Sequence, residues 1–484
     1  MKKHSFEDSL MQWSNIVQGR IRRKARGALV YGANVRAFRR RRGVAGRIIA
    51  DTGLSKPRGA ASKHILFIVI DCLRRDHLSL HGYHRETTPF LDSVASGNSV
   101  FQNAISPSPW TYSSVASMLT GLYPHSHGGV FAEELRNFSK QMMPRAVREN
   151  VLFLPEILHH FGFATYIGSA ITTAELPLRG RFQHINASAF GSAGEILQKY
   201  VQWLQKRKSE NTFSYLQLGD LHAPVHAPEP QRSAFGTIPG IPRLERWDYL
   251  ENAIPGEPGF ERYRENRIKL YDSALLYVDS RLRSLFGRLT EMKVVDDMMI
   301  VITADHGEEM WDHFRVEKEH FFDPRSFYGA GHGHHLWQEI IGVPLIAVGG
   351  DIPGREIHET VSTVDLAPAV LEYCGIKGWE KMEFDGRSVF AATPGRAVLS
   401  EDISYGYEKK AVLEGKYKLY YSKGDGVKWV FDLEKDPGEE RPLELPEVAD
   451  RLGAMLPEEP DELGGEVPLD GETASRLRHL GYID

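Results

Sequence analysis

The sequence predicts an α/β fold: a large central, mostly parallel sheet sandwiched by helices, followed by a smaller C-terminal α+β subdomain that contains an antiparallel sheet. Three observations carry that expectation. His64–Ile70 is an unbroken apolar run ending in Asp71, the pattern of a strand buried on both faces of a parallel sheet. Further short apolar runs at 163–168, 213–218, 298–303 and 343–348 alternate with stretches of helical spacing at 154–160, 193–206 and 263–289. In the last of these, Leu275, Val278, Leu282, Leu285 and Leu289 recur every three or four residues, as the apolar stripe of an amphipathic helix does. After about residue 376 the pattern changes. Residues 410–414, 416–422 and 427–433 read as strands separated by Gly415 and by Gly424–Gly426, the spacing of a small antiparallel sheet.

At 484 residues the chain exceeds one ordinary core, and three segments are expected. These are a basic N-terminal arm over 1–63, a catalytic α/β domain over 64–376 and a C-terminal subdomain over 377–484. Hydrophobic residues make up 42% and charged residues 25%, an ordinary soluble composition. No run approaches the roughly 18 apolar residues that span a bilayer. Glu7, Asp8 and Gln12 interrupt the start where a secretory leader would be apolar, so a cytoplasmic location is expected. Cys72 and Cys374 are the only cysteines, too few for a disulfide framework, and reduced thiols are expected. Segments 223–262 and 314–331, rich in proline, glycine and charge, read as insertions.

The net charge of −5 hides an asymmetry. Residues 1–63 hold 16 lysines and arginines against 3 acidic residues, concentrated in Arg20–Arg26 and Arg39–Arg42. Such clusters suit anionic lipid headgroups, and equally a solvated or docked tail. No aromatic residues alternate with the arginines, so nucleic acid is not the expected partner. Peripheral contact with an anionic membrane at its inner face is. Nothing in the sequence speaks to oligomeric state.

Ligands of open α/β sheets bind beyond the carboxyl ends of the strands. Asp71 and Asp305-His306 both stand at such ends. Two carboxylates and an imidazole delivered to one edge suit a divalent metal, although an aspartate after a strand also serves as an ordinary turn or cap. The stretch Ser108–Gly128 adds a nucleophile. It resembles the corresponding region of the sulfatase-like family of the alkaline phosphatase superfamily, whose nucleophile opens a helix about nine residues before a Leu-Thr-Gly and a Tyr-Pro. Here these are Leu119-Thr120-Gly121 and Tyr123-Pro124, which puts Thr111 at the nucleophile position. The resemblance continues through Ile70–Gly82, Thr87–Asp92, Asp220–Pro224, Thr303–Glu308, Gly331–Glu339, Thr363–Pro368, Phe431–Gly438 and Leu480–Tyr482.

By that resemblance, Asp71, Thr111, Asp305 and His306 are the expected metal ligands. His222 and His332 are the expected groups that grip ester oxygens or protonate the leaving group, with His334 the substitute for His332. One divalent ion is implied. Cys72 stands where sulfatases carry a second aspartate, which favours Mn²⁺ or Zn²⁺ over Ca²⁺ or Mg²⁺. A second metal on Asp220, His222 and His332 is the lesser reading. His125 and His127 are expected to be structural, and Ser113 and Ser114 are the fallback nucleophiles.

The chain departs from the family pattern in one decisive respect. True sulfatases convert a cysteine or serine, followed two places later by proline and four places on by arginine, into formylglycine. Thr111 is followed by Ser113 and Val115, and neither Cys72 nor Cys374 has the guiding residues. A hydrated aldehyde expels sulfate by reforming its carbonyl, and an ordinary threonine ester cannot. A threonine phosphate is open to in-line attack at phosphorus. The Lys-x-His usual after the next strand is replaced by Gly168–Thr172. The expected activity is therefore hydrolysis or transfer of a phosphate mono- or diester or phosphonate ester, on a small-molecule, lipid or glycan substrate, through a covalent Thr111 intermediate. The alternatives are an arylsulfatase-type sulfuric ester hydrolase and a catalytically silent binding protein.

Overall fold

The His64–Ile70 run forms the centre of an eight-stranded sheet, and every residue of it is buried. In the computed structural model the described residues are 34–56, 63–188, 191–238, 254–349, 352–458, 460 and 462–479. In chain order the strands of this sheet are β1 (His64–Ile70), β2 (Ser99–Ile105), β3 (Ala164–Ser169), β4 (His184–Ala187), β5 (Thr212–Leu218), β6 (Met298–Thr303), β7 (Gly342–Val348) and β8 (Glu356–Ser362). Their spatial order is β8-β2-β7-β6-β1-β5-β3-β4. Only β7 runs antiparallel to its neighbours. The sheet is mostly parallel, as expected.

The unexpected strands are β2, β4 and β8. Gln102 and Asn103 break the apolar pattern of β2, while β4 and β8 lie at the two edges, where half-polar sequences such as His184–Ala187 and Glu356–Ser362 suffice. Helices Pro89–Ala95, Ala193–Leu204 and Phe260–Glu291 pack together as one layer, and Thr111–Thr120, Leu154–His160 and Leu366–Tyr373 as another. On Phe260–Glu291 the predicted stripe from Leu275 to Leu289 is buried.

A separate four-stranded antiparallel sheet follows: β9 (Val398–Ser400), β10 (Lys410–Glu414), β11 (Tyr417–Ser422) and β12 (Val427–Asp432). β10 and β11 are joined by a two-residue turn in which Gly415 takes φ +58°, a conformation open to glycine at little cost. One face of this sheet packs Val412, Leu419 and Val430 on Leu452 of helix Pro446–Gly453. Tyr420 and Phe431 pack instead on Trp337 and Ile341.

Two expectations are refined. Part of the basic arm takes the docked form that the sequence left open: residues 34–52 are helical, with Ala45 and Ile49 buried in the main core. Arg41 turns inward to pair with Glu156, which also holds Arg181, and donates to the Val151 carbonyl at 2.6 Å. That arginine is spent on folding, not on a surface. The cluster Arg20–Arg26 lies outside the described residues, as does Leu480–Tyr482. The second refinement concerns the insertion at 314–331, which holds a helix, Phe314–His320, and a strand, Ala330–Gly331, that pairs with Glu309–Met310. No helix among the described residues is long and apolar enough to cross a membrane.

Candidate functional site

Four strands deliver the candidate residues to one sheet edge. Asp71 directly follows β1, Asp305 and His306 follow β6, Asp220 and His222 follow β5, and the connection after β2 leads into helix Thr111–Thr120. Thr111 is the first residue of that helix, and Trp110 before it supplies no side-chain cap. The first N–H groups of the helix therefore lack intrahelical acceptors, which makes its start a place for an anion. Thr111 and His306 are both fully buried, with Thr111 Oγ1 3.1 Å from His306 Nε2. His306 Nδ1 lies 2.9 Å from the Gly307 carbonyl. A carbonyl only accepts, so Nδ1 carries a proton, and in the neutral ring the Nε2 lone pair faces the threonine hydroxyl. The fallback serines are engaged elsewhere: Ser113 donates to Asp402, and Ser114 donates to the Asp305 carbonyl at 2.7 Å.

Gln217, to which the sequence reading gave no role, joins the two carboxylates. Its Nε2 donates to Asp71 Oδ2 at 2.7 Å and to Asp305 Oδ2 at 2.9 Å. The signal was a single amide inside the apolar run of β5. Neither carboxylate pairs with a lysine or arginine among the described residues. Burial raises the Asp71 pKa to about 6. Burial, and then the charge of Asp71, raises Asp305 to about 7. Keeping both ionised costs on the order of 3 kcal/mol per group, which a positive charge between them would offset. One atom each from Asp71, Cys72 and His306 lies within 4.8 Å of the others. Two buried, uncompensated carboxylates beside an imidazole and a thiol fit a divalent cation.

Cys72, which the sequence reading placed where sulfatases carry a second aspartate but did not count among the ligands, also enters the site. It holds φ +61°, a conformation rare outside glycine, and this turn places both Asp71 and Cys72 in the site. The Tyr271 hydroxyl supports it, donating to the Cys72 carbonyl at 2.6 Å and accepting from the Arg74 N–H at 2.9 Å. Cys72 Sγ lies 3.1 Å from Asp71 Oδ1 and 3.6 Å from His332 Nδ1.

His332 comes to the same place, its ring 4.3 Å from that of His306 and 5.3 Å from that of His222. Glu308 holds it, with Oε2 3.0 Å from His332 Nδ1. Despite burial, contact with His332 lowers Glu308 to about 2, while burial and the neighbouring His306 lower His332 to about 3. The pair is a carboxylate accepting from a neutral imidazole, which fixes the ring's orientation. Glu308 was legible as the last residue of the Thr303–Glu308 motif but had been given no role. His222 is also buried, which lowers its pKa, and its Nδ1 contacts the Ala223 carbonyl at 2.7 Å.

Two candidates fall outside this arrangement. Asp220 accepts from the Ala193 N–H at the start of helix Ala193–Leu204, at 2.9 and 3.2 Å, so Cys72 rather than Asp220 groups with His222 and His332. His334 lies beside Glu309 and Glu317, not beside His332. His125 and His127 sit beyond the other end of the Thr111 helix, on Glu401 and Ser117.

Comparison with known proteins settles the family. The sulfatase family profile matches residues 63–376. The chain belongs to the sulfatase family. A relative in Bacteroides thetaiotaomicron, a delta 4,5-hexuronate-2-O-sulfatase, is 23% identical over 436 residues, covering 78% of this chain and 84% of its own. Among solved structures, the phosphonate monoester hydrolase of Silicibacter pomeroyi superposes with a TM-score of 0.61 at 19% identity, over 81% of this chain and 94% of its own. A structure in complex with its substrate D-glucosamine-2-N,6-O-disulfate superposes with a TM-score of 0.60 at 16% identity, over 82% and 97%. These two share the fold. As a sulfatase-family member the chain is an ester hydrolase, and the family generally binds a divalent metal.

Proposed function

We propose that this sulfatase-family chain acts on a phosphate mono- or diester or a phosphonate ester, with Thr111 taking the phosphoryl or phosphonyl group covalently. The observation that carries the reading is Thr111 itself. It is a threonine, outside any formylglycine motif, at a helix start, with its hydroxyl 3.1 Å from the His306 Nε2 lone pair. Asp71, Thr111, Asp305 and His306 would hold a divalent cation, whose charge lowers the pKa of a hydroxyl beside it and neutralises ester oxygens. The donors His306 and nearby Cys72 favour Mn²⁺ or Zn²⁺. Non-bridging oxygens of the ester sit at the helix start, and Thr111 Oγ1, giving up its proton to one of the clustered imidazoles, attacks phosphorus in line while the bond to the leaving oxygen breaks. His222 and His332 stand beside that position, and either ring, once protonated at Nε2, would grip the ester or protonate the leaving oxygen. A water then attacks phosphorus and releases the threonine. A cavity of about 250 Å³ lined by Ile171, Ser192, Asp220, His222 and His226 leaves room for the alcohol portion.

A second reading, sulfuric ester hydrolysis, is favoured by the hexuronate sulfatase relative. Rates of wild type and Thr111→Ala on an aryl phosphate, a bis-aryl phosphate, an aryl phosphonate and an aryl sulfate separate the two, with mass spectrometry for a phosphorylated Thr111 peptide after acid quench. Preference for a phosphorus ester, lost in the variant, is expected. Preference for the aryl sulfate, or equal rates for variant and wild type, overturns the proposal.

A further inference from the structure

A second cluster of carboxylate and imidazole lies behind the site. Glu309 comes from the short strand after the Asp305-His306 turn, Glu317 from helix Phe314–His320, and His334 from the loop after His332. The three side chains are at most 1% exposed. His334 Nε2 lies 3.3 Å from Glu309 Oε2 and 3.6 Å from Glu317 Oε2. Neither ring nitrogen of His334 makes a hydrogen bond, and nor does Glu309 Oε2. One atom of each residue falls within 4.8 Å of the others. A fully buried imidazole without a hydrogen bond, facing two carboxylates, is costly unless something lies between them.

The neighbouring group sharpens the point. Glu309, His313 and Glu339 meet the same spacing, yet both nitrogens of His313 are engaged, by Glu339 at 2.7 Å and by the Gly438 carbonyl at 2.8 Å. That group is a closed hydrogen-bond network. The Glu309–Glu317–His334 group is open at its centre and supported from outside. Glu317 accepts from Trp337 Nε1 at 2.9 Å and from the Gly329 N–H at 2.6 Å, and Glu309 accepts from the His313 N–H at 3.0 Å. Groups of this kind orient metal ligands.

We propose that Glu309, Glu317 and His334 bind a structural divalent ion, of the Zn²⁺ class, separate from the ion expected at Asp71 and Asp305. Two carboxylates and one imidazole in a dry pocket match the ligand preference of Zn²⁺, with one position left for His335 or a water. His335 Nε2 is 3.4 Å from Glu317 Oε1. The ion ties three separate stretches of chain together. Two of its ligands are placed to steady the site, since Glu309 adjoins Glu308 and His334 is two residues from His332.

The test is anomalous diffraction at the zinc edge from crystals of the wild-type chain grown with Zn²⁺. Density between Glu309, Glu317 and His334 is expected, and its absence overturns the proposal. Metal analysis gives a second reading. Asp305→Asn should retain one equivalent of zinc, whereas His334→Ala should lose one relative to wild type and melt at a lower temperature. Loss of all zinc in Asp305→Asn, or unchanged zinc in His334→Ala, refutes the site. A wild type holding one equivalent that survives Asp305→Asn supports this site while removing the other.

Discussion

Helix Thr111–Thr120 carries two hydroxyl–imidazole pairs with the same separation and opposite polarity. At its start Thr111 Oγ1 lies 3.1 Å from His306 Nε2, and two turns on Ser117 Oγ lies 3.1 Å from His127 Nε2. The difference is set at the other ring nitrogen. His306 Nδ1 meets the Gly307 carbonyl and must donate, so Nε2 offers a lone pair to Thr111. His127 Nδ1 accepts from the Gly129 N–H at 3.0 Å, so Nε2 carries a proton and donates it to Ser117. The first imidazole can take a proton or a cation beside the hydroxyl, whereas the second can only hold the hydroxyl in place. Distance alone does not set the polarity of such a pair. The backbone group facing the far nitrogen does.

The comparison breaks most sharply at the hydroxyls. Thr111→Ala should lower turnover by about 10⁴-fold, while Ser117→Ala should stay within about threefold of wild type and cost about 1 kcal/mol of stability. Steady-state rates and urea titrations of the two variants read this out. Comparable loss of turnover in both would erase the distinction. Next in size is the charge beneath Thr111. Asp305→Asn removes one of the two carboxylates joined by Gln217 and should lower turnover by about 10³-fold, together with the metal equivalent held there. Retention of that metal at wild-type affinity would show that Asp305 is no ligand.

Much of this was legible before any coordinates. Asp71, Asp305 and His306 were readable because an apolar run that ends in an acid is a local pattern, and the sheet then brings those ends together. Thr111 was readable from register against Leu119-Thr120-Gly121. Gln217 was not, because one amide within a strand gains meaning only when β5 is placed beside β1. His334, offered only as the substitute for His332, lies instead beside Glu309 and Glu317, because residues 332–335 form a loop and loop spacing does not say which way a ring faces. The tautomers of His306 and His127 were beyond any sequence reading, since each depends on a single backbone group. The strands β2 and β8 were hidden because polar residues interrupt their alternation.

Glu308 offers a smaller effect that sharpens the same lesson, because it sets His332 as the Gly307 carbonyl sets His306. Glu308→Gln should lower turnover about 10- to 100-fold, the range for a group that orients an imidazole from behind. An unchanged melting temperature alongside the lost rate would mark a positioning role, and a wild-type rate would rule that role out.

The smallest effect belongs to the structural pair, and it appears as stability against pH. Burial lowers the His127 pKa from 6.5 in the unfolded chain to about 3 in the fold. A histidine depressed in the folded state is neutral there while the unfolded chain binds a proton. Its contribution is therefore fully present above pH 6.5 and drains away as pH falls toward 3. Between pH 6.5 and 5.5 this amounts to about 1 kcal/mol. Other buried histidines add to the total slope, so the quantity to measure is a difference. Urea unfolding of wild type and His127→Gln at both pH values should give a variant that loses about 1 kcal/mol less on acidification. If both lost the same, His127 would not be held neutral by the fold, and its Nδ1 could not accept from the Gly129 N–H.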